Sequence, residues 1–133
     1  MTDKLRSWKN GDRPDLPWER CRKDERGELN QLLSGPVCRH INTLTLRATD
    51  GAWRGKHVHK IKREEFFVLS GCVEFIWHDT ETGERGGDTF GPGTRLTILP
   101  GLAHALRALE DAVMIEFSET PYDEADSVPY DLF

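Results

Sequence analysis

Three things are scarce in this chain: cysteine in any useful pattern, excess positive charge, and long apolar runs. The three cysteines, Cys21, Cys38 and Cys72, are far apart and odd in number, and no Cys-x-x-Cys occurs. That argues against a disulfide framework and against a thiolate zinc site. The net charge is -5, which argues against general nucleic-acid binding, since that requires cations to neutralise phosphates. No apolar run approaches membrane-spanning length, so no membrane partner is expected. The N-terminal stretch MTDKLRSWKNGD has no apolar core of the secretory kind, and a reducing cytoplasm is the expected compartment. No internal repeat or low-complexity segment is visible. What remains is 133 residues, 37% of them hydrophobic, enough for one soluble domain with a real core.

Helical periodicity is nearly absent too. Residues 1–36 are polar and rich in turn formers, with Pro14 and Pro17 around Trp18. They read as an irregular segment wrapping the domain or a partner subunit, with one helical turn over residues 28–33. From Val37 to Ser118 the text is strand-like. It is dense in β-branched and aliphatic residues over 40–47, 56–59, 65–69, 72–77, 95–99, 104–109 and 112–117. Turn signals separate these runs at Thr49-Asp50-Gly51, Ser70-Gly71, residues 79–84, Gly86-Gly87-Asp88, Gly91-Pro92-Gly93 and Pro100-Gly101. Short strands with glycine and proline turns predict an all-β, antiparallel sandwich or barrel over 37–118. Residues 119–133 form an acidic tail.

The chemistry concentrates in residues 51–71, GAWRGKHVHKIKREEFFVLSG. On a strand, side chains two apart share a face, so His57 and His59 place two imidazoles side by side while Val58 points away. Residues 60–63 are polar and do not alternate, so they read as a turn or bulge. A bulge there turns the Glu64 carboxylate back toward the imidazoles, with Glu65 as the alternative. Two neutral imidazoles and a carboxylate suit a divalent Zn, Fe, Mn, Ni or Cu ion. His104 is the best candidate for a fourth ligand. The plain alternative for His57 and His59, solvated strand histidines, is outweighed by their pairing with Glu64 and His104.

These residues resemble the cupin superfamily, small antiparallel β-barrels of jelly-roll type. Its first motif is Gly, five residues, His-x-His, three or four residues, Glu, six residues, Gly. Gly51, His57, His59, Glu64 and Gly71 fit every position. In the second motif Gly93, Gly101 and His104 fit, while Leu99 stands where proline is usual and Ala108 where asparagine is usual. The stretch from Arg54 to Lys60 is similar to the Arg-Gly-x-His-x-His of sugar-modifying cupins of bacterial polysaccharide synthesis. These include WxcM-like nucleotide-sugar ketoisomerases and the cupin domains of capsule-synthesis enzymes. The resemblance implies a homodimer, a small-molecule substrate such as a nucleotide sugar, and the ligand set His57, His59, Glu64 and His104. The ketoisomerases usually carry Gln where this chain has Glu64, and they work without metal; Glu64 therefore points to a metal-binding member. Some epimerases of this fold pair a histidine base with a tyrosine acid, whereas here the only tyrosines, Tyr122 and Tyr130, lie in the tail.

Three functions stay open at this point. The leading one is isomerisation or epimerisation of a keto-sugar nucleotide. There His57 or His59 moves the proton if the site is metal-free, and Arg54 and Arg107 hold substrate anions, as Arg47 and Arg95 would if they point inward. The second is a metal-dependent oxygenase or lyase on a small organic acid or aromatic. The third is a non-catalytic sugar- or ligand-binding cupin. Lys56, Lys60, Lys62 and Arg63 read as a solvated edge that discourages strand pairing or as an attractor of anionic substrate. His40 has no motif context and is placed to line the barrel, and His78 reads as an exposed hairpin residue. Phe66, Phe75, Trp77 and Phe117 read as core.

Overall fold

The computed structural model describes residues 2–49 and 51–133. Asp50, in the turn expected at 49–51, lies outside them. In chain order the strands are β1 (Leu5–Lys9), β2 (Arg20–Asp24), β3 (Gly27–Gln31), β4 (His40–Leu46), β5 (Arg54–His59), β6 (Glu64–Asp79), β7 (Arg85–Phe90), β8 (Thr94–Ile98), β9 (Leu102–Ser118) and β10 (Ser127–Pro129). One 3-10 turn, Glu124–Asp126, precedes β10. The described residues contain no α-helix, and so none long and apolar enough to cross a membrane.

Two long strands shape the barrel. The start of β6 pairs with β8 on one side and with the end of β9 on the other, while the end of β6 pairs with β7 and the start of β9. β4 joins the end of β9, and β5 joins its start. The sheet therefore folds into two layers, β1-β8-β6-β9-β4 and β7-β6-β9-β5-β10. All pairings are antiparallel, as expected for the jelly roll. Every second residue of β6, β8 and β9 points between the layers. Phe66, Val68, Val73, Phe75, Leu96, Ile98, Leu102, Leu106 and Met114 are buried there in one cluster. Phe75 meets Phe66 and Phe90 edge-on, with ring centroids 5.8 Å apart in both pairs. Burying each such side chain contributes roughly 1.5–3 kcal/mol.

The layers change over where β6 turns its corner. Its register against β9 shifts between Val68 and Ser70, again by Cys72, and again at Val73. The Ser70-Gly71 pair, expected to be a turn between two strands, is this corner inside one strand. Gly71 has φ +85° and lies so close to the partner strand that a Cβ there would sit 2.2 Å from the Asp111 carbonyl oxygen.

The expectation of an irregular segment over 1–36 needs correction. β1 pairs along the edge of β8, from Leu5 opposite Ile98 to Lys9 opposite Thr94. Residues 28–33 are not helical, because most of them form β3 in a hairpin with β2. The hairpin turn is set by Asp24, whose Oδ1 accepts from Arg26 N at 2.9 Å. The hairpin and its flanking loops cover the outer face of the first layer, where Phe67, Arg95, Thr97 and Phe117 are buried. Trp8 Nε1 donates to Glu19 Oε1 at 2.7 Å and Gln31 Nε2 to the Trp18 carbonyl at 2.7 Å. Backbone groups on an open edge need partners, and β1 supplies them to β8. The tail also rejoins the sheet, as β10 pairs with β5 from Ser127 opposite His59 to Pro129 opposite His57.

Candidate active site

A cavity of about 370 Å³ opens between the layers on the side where β4 and β5 face each other. β5 contributes most of its chemistry, and a bulge decides how. Arg54 pairs with Leu106 and Gly55 with Ala105, but the next partner of β9, His104, is met by His57. Lys56 is the extra residue and takes φ 56°, the left-handed region, alone among the described non-glycine residues. Three residues apart, Arg54 and His57 would face opposite ways on a regular strand. The bulge lets both line the cavity.

Glu64 begins β6 at the cavity floor, 2% exposed. Three imidazoles turn to its Oε1: His59 Nε2 at 2.7 Å, His104 Nε2 at 3.5 Å and His57 Nε2 at 3.7 Å. Burial alone would raise the Glu64 carboxyl, but contacts from His57 and His59 and charge from His104 hold it well below the ordinary carboxylate range. Burial pulls His59 down, yet Glu64 and Asp126 outweigh it and its pKa is raised. Fully enclosed His104 is pushed down by burial, so it is held neutral. Its Nδ1 lies 3.0 Å from the Leu102 carbonyl oxygen. A carbonyl only accepts, so Nδ1 carries the proton and Nε2 presents a lone pair to the carboxylate.

Two buried acceptors thus face each other, and Glu64 Oε1 has no directed hydrogen bond despite the short approach of His59. A shared cation would resolve that mismatch. His57, Glu64 and His104 offer ligand atoms all within 4.8 Å of one another. Two ligands about 2.1 Å from a tetrahedral ion lie about 3.4 Å apart, close to the two longer spacings. His59 falls outside this group and lies against Glu64 instead. Three of the four expected ligands therefore meet the geometry of one ion, and the donor set fits a divalent metal.

The tail supplies a residue that sequence reasoning missed. Asp126, buried, accepts from the backbone N–H of Lys60 (3.0 Å), Ile61 (2.8 Å) and Lys62 (2.9 Å), and its Oδ2 lies 3.4 Å from His59 Nδ1. It pins the loop between His59 and Glu64. The one signal for it is the Asp123-Glu124-Ala125-Asp126 cap, in which Asp123 Oδ1 accepts from Ala125 N at 3.0 Å. Burial pushes the Asp126 carboxyl up, but the three N–H donors and His59 outweigh it, so its pKa is lowered. A depressed carboxyl adds stability above its unfolded pKa of about 3.9 and loses it as pH falls through the folded value. Asp126→Asn keeps one acceptor oxygen but turns an N–H₂ toward one of those donors. It is expected to cost about 2–3 kcal/mol at pH 7 and less near pH 3, read by urea melts at both.

Other expected residues lie elsewhere. Arg107 is not in the cavity. One residue beyond Leu106, it points to the outer face, donating to Glu74 Oε1 at 2.9 Å with its guanidinium 4.6 Å from the Trp53 ring centre. Arg47 is exposed. Arg95 is buried beneath the N-terminal segment, 3.7 Å from Glu19 and 3.8 Å from Glu65. Glu65 faces that outer side, accepting from Thr97 Oγ1 at 3.2 Å, so Glu64 is the carboxylate of the site. Lys62 is no solvated edge residue, being buried in the cavity wall with Nζ 3.1 Å from Glu116 Oε1. His78 is half-buried, with Nδ1 2.5 Å from the Tyr130 hydroxyl. Tyr122, distant in sequence, lines the cavity. A second cavity of about 340 Å³ under the N-terminal segment is lined by Trp8, Trp18, Glu19 and Arg95 and holds no histidine.

No protein-family model and no curated protein matches this sequence. Solved structures do match its fold. The sugar 3,4-ketoisomerase QdtA of Thermoanaerobacterium thermosaccharolyticum, in complex with TDP, superposes with a TM-score of 0.78 at 18% identity, covering 96% of this chain and 89% of that one. A 3,4-ketoisomerase of Helicobacter canadensis gives 0.77 at 18% identity, covering 96% and 91%. The dTDP-4-dehydrorhamnose 3,5-epimerase of Sulfolobus tokodaii gives 0.72 at 20% identity, covering 96% and 77%. The fold is the antiparallel jelly roll shared with these structures.

Proposed function

We propose that this protein is an isomerase or epimerase of a keto-sugar nucleotide. The observation that carries the reading is the convergence of His57, His59 and His104 on Glu64 at the floor of a cavity with room for one sugar ring. The likeness to 3,4-ketoisomerases and a 3,5-epimerase supports it. Such a reaction removes a proton beside a carbonyl and returns one, which requires an imidazole near neutrality and stabilisation of the enolate oxygen. His57, Glu64 and His104 would hold a divalent ion, which when bound supplies Lewis-acid polarisation of the keto oxygen. Arg54 lines the cavity and pairs with diphosphate oxygens. Leu44, Phe66 and Leu106 give the cavity an apolar wall. Tyr122, from the tail, stands beside His40 at the cavity rim, 63% exposed.

The test is incubation with TDP-4-keto-6-deoxyglucose in D₂O, followed by proton NMR. Loss of the signal from a carbon beside the keto group is expected, with deuterium in its place and a new keto-sugar accumulating. No uptake, together with oxygen consumption on small acids, would move the reading to a metal oxygenase.

A further inference from the structure

His57, His59 and His104 all turn Nε2 toward one oxygen of Glu64. Nitrogens so committed, to that oxygen or to an ion beside it, are poorly placed to take a proton from a substrate carbon. One more imidazole lines the same cavity, from the other layer. His40 opens β4, and with Asn42 and Leu44 it faces across to β5. Its Nε2 lies 3.1 Å from Asn42 Nδ2 and 3.6 Å from Glu116 Oε1. That same Glu116 oxygen is held by the buried Lys62 ammonium at 3.1 Å. The His40 ring stacks with Tyr122, with centroids 6.0 Å apart and planes 25° apart. Glu116 is therefore fixed from one side and offers a proton on His40 an acceptor from the other. His40 stays 15% exposed, open to the cavity.

We propose that His40 is the catalytic residue that moves the proton at carbon, and that Glu116 is its positioning residue. This rests on the isomerase or epimerase reading above. In the step, Nε2 of His40 carries its proton toward Glu116 and the lone pair on Nδ1 takes the proton of the C–H bond beside the keto group. The C–H electron pair becomes a C=C bond and the carbonyl π pair moves to oxygen, which takes a proton from solvent water to give an enol. For keto migration the proton on His40 goes to the neighbouring carbon on the same face; for epimerisation a proton from solvent water reaches the original carbon from the opposite face, and the proton on His40 is released to solvent. In either case an O–H proton leaves as the carbonyl re-forms, so protons balance and nothing is oxidised or reduced overall. Glu116 faces the imidazolium that forms in between.

His40→Ala is tested in the same D₂O exchange, with and without added imidazole. Exchange is expected to fall about 10²–10⁴-fold, with metal content and Tm as in the wild type, and imidazole is expected to restore part of it. Glu116→Gln should lower kcat about tenfold with KM unchanged, a split that a loss of packing would not produce. Exchange by His40→Ala at the wild-type rate would overturn the inference alone. So would a loss that imidazole does not rescue, which would make His40 structural. An absence of exchange in the wild type overturns the functional reading and this inference with it, and is seen before any variant is made.

Discussion

Glu64→Gln will leave a folded barrel that has lost its metal and about 10³-fold of its turnover. Among the described residues the carboxylate is the one anion within reach of all three imidazoles, so neutralising it removes the charge that would draw a cation in. The amide keeps the volume, and its N–H₂ can donate to the His104 lone pair that the carboxylate opposes. The buried polar mismatch is thereby relieved without an ion, and Tm should hold or rise. Loss of Lewis-acid stabilisation is worth several kcal/mol, and about 4 kcal/mol is about 10³ in rate. Elemental analysis of wild type, Glu64→Gln and His104→Ala checks the first half. About one equivalent of metal in the wild type and little in either variant is expected. Zinc or manganese agrees with chemistry on a keto-sugar, whereas iron, nickel or copper would favour oxygen chemistry. Gln is the usual residue of the metal-free ketoisomerases that the first motif resembles. A Glu64→Gln variant with full turnover would therefore place this protein with them and remove the metal from its mechanism.

Gly71→Ala is expected to be the most destabilising single methyl added anywhere in the sheet. The new Cβ would lie 2.2 Å from the Asp111 oxygen and 2.6 Å from Ala112 Cα. Both are backbone atoms of the paired strand, with no flexible end to move. The left-handed conformation adds about 1 kcal/mol for any residue with a Cβ, and overpacking typically adds 1–3 kcal/mol or more. A total of about 3–5 kcal/mol is a large fraction of the usual 5–15 kcal/mol and should lower Tm by more than about 10 °C. Gly83, at φ +79° with nothing within 4 Å of a built Cβ, is the control: Gly83→Ala should cost only about 1 kcal/mol. Equal losses at the two sites would mean that the corner is not as tight as described.

The two expectations differ in how visible they were. His57, His59 and Glu64 stand close in sequence, and strand parity with a motif spacing brought them together without the fold. His104 needed the second motif, since its place opposite His57 is a sheet register. Ser70-Gly71 reads as a hairpin turn in the sequence and is a strand corner in the fold, because Ser-Gly signals both equally well. Arg54 was selected, yet simple alternation would have turned it away from His57; only the extra residue at Lys56 reverses that. Arg107 failed for the opposite reason. β9 is regular there, so Leu106 takes the interior and its neighbour the outside. Lys62, Glu116 and Asp126 were hidden because their partners lie 54 and 64 residues away, and no local pattern records who meets whom. The hairpin at residues 20–31 escaped for want of apolar alternation in β2, which is exposed along its length.

The way the sheet is closed bears on how the protein folds. Leu5 meets Ile98, and His59 meets both Ser127 and, through Glu64, the start of β6. Apart from the β2–β3 and β6–β7 hairpins, the pairings join distant parts of the chain, so loop-closure entropy must be spent before contacts repay it. Chains of this kind fold in milliseconds to seconds. The backbone N–H groups of Lys60, Ile61 and Lys62, in the loop between His59 and Glu64, gain their carboxylate acceptor only when the tail arrives with Asp126. The imidazole cluster should therefore be the last part of the barrel to become native, and recovery of metal affinity during refolding should lag behind recovery of β-sheet.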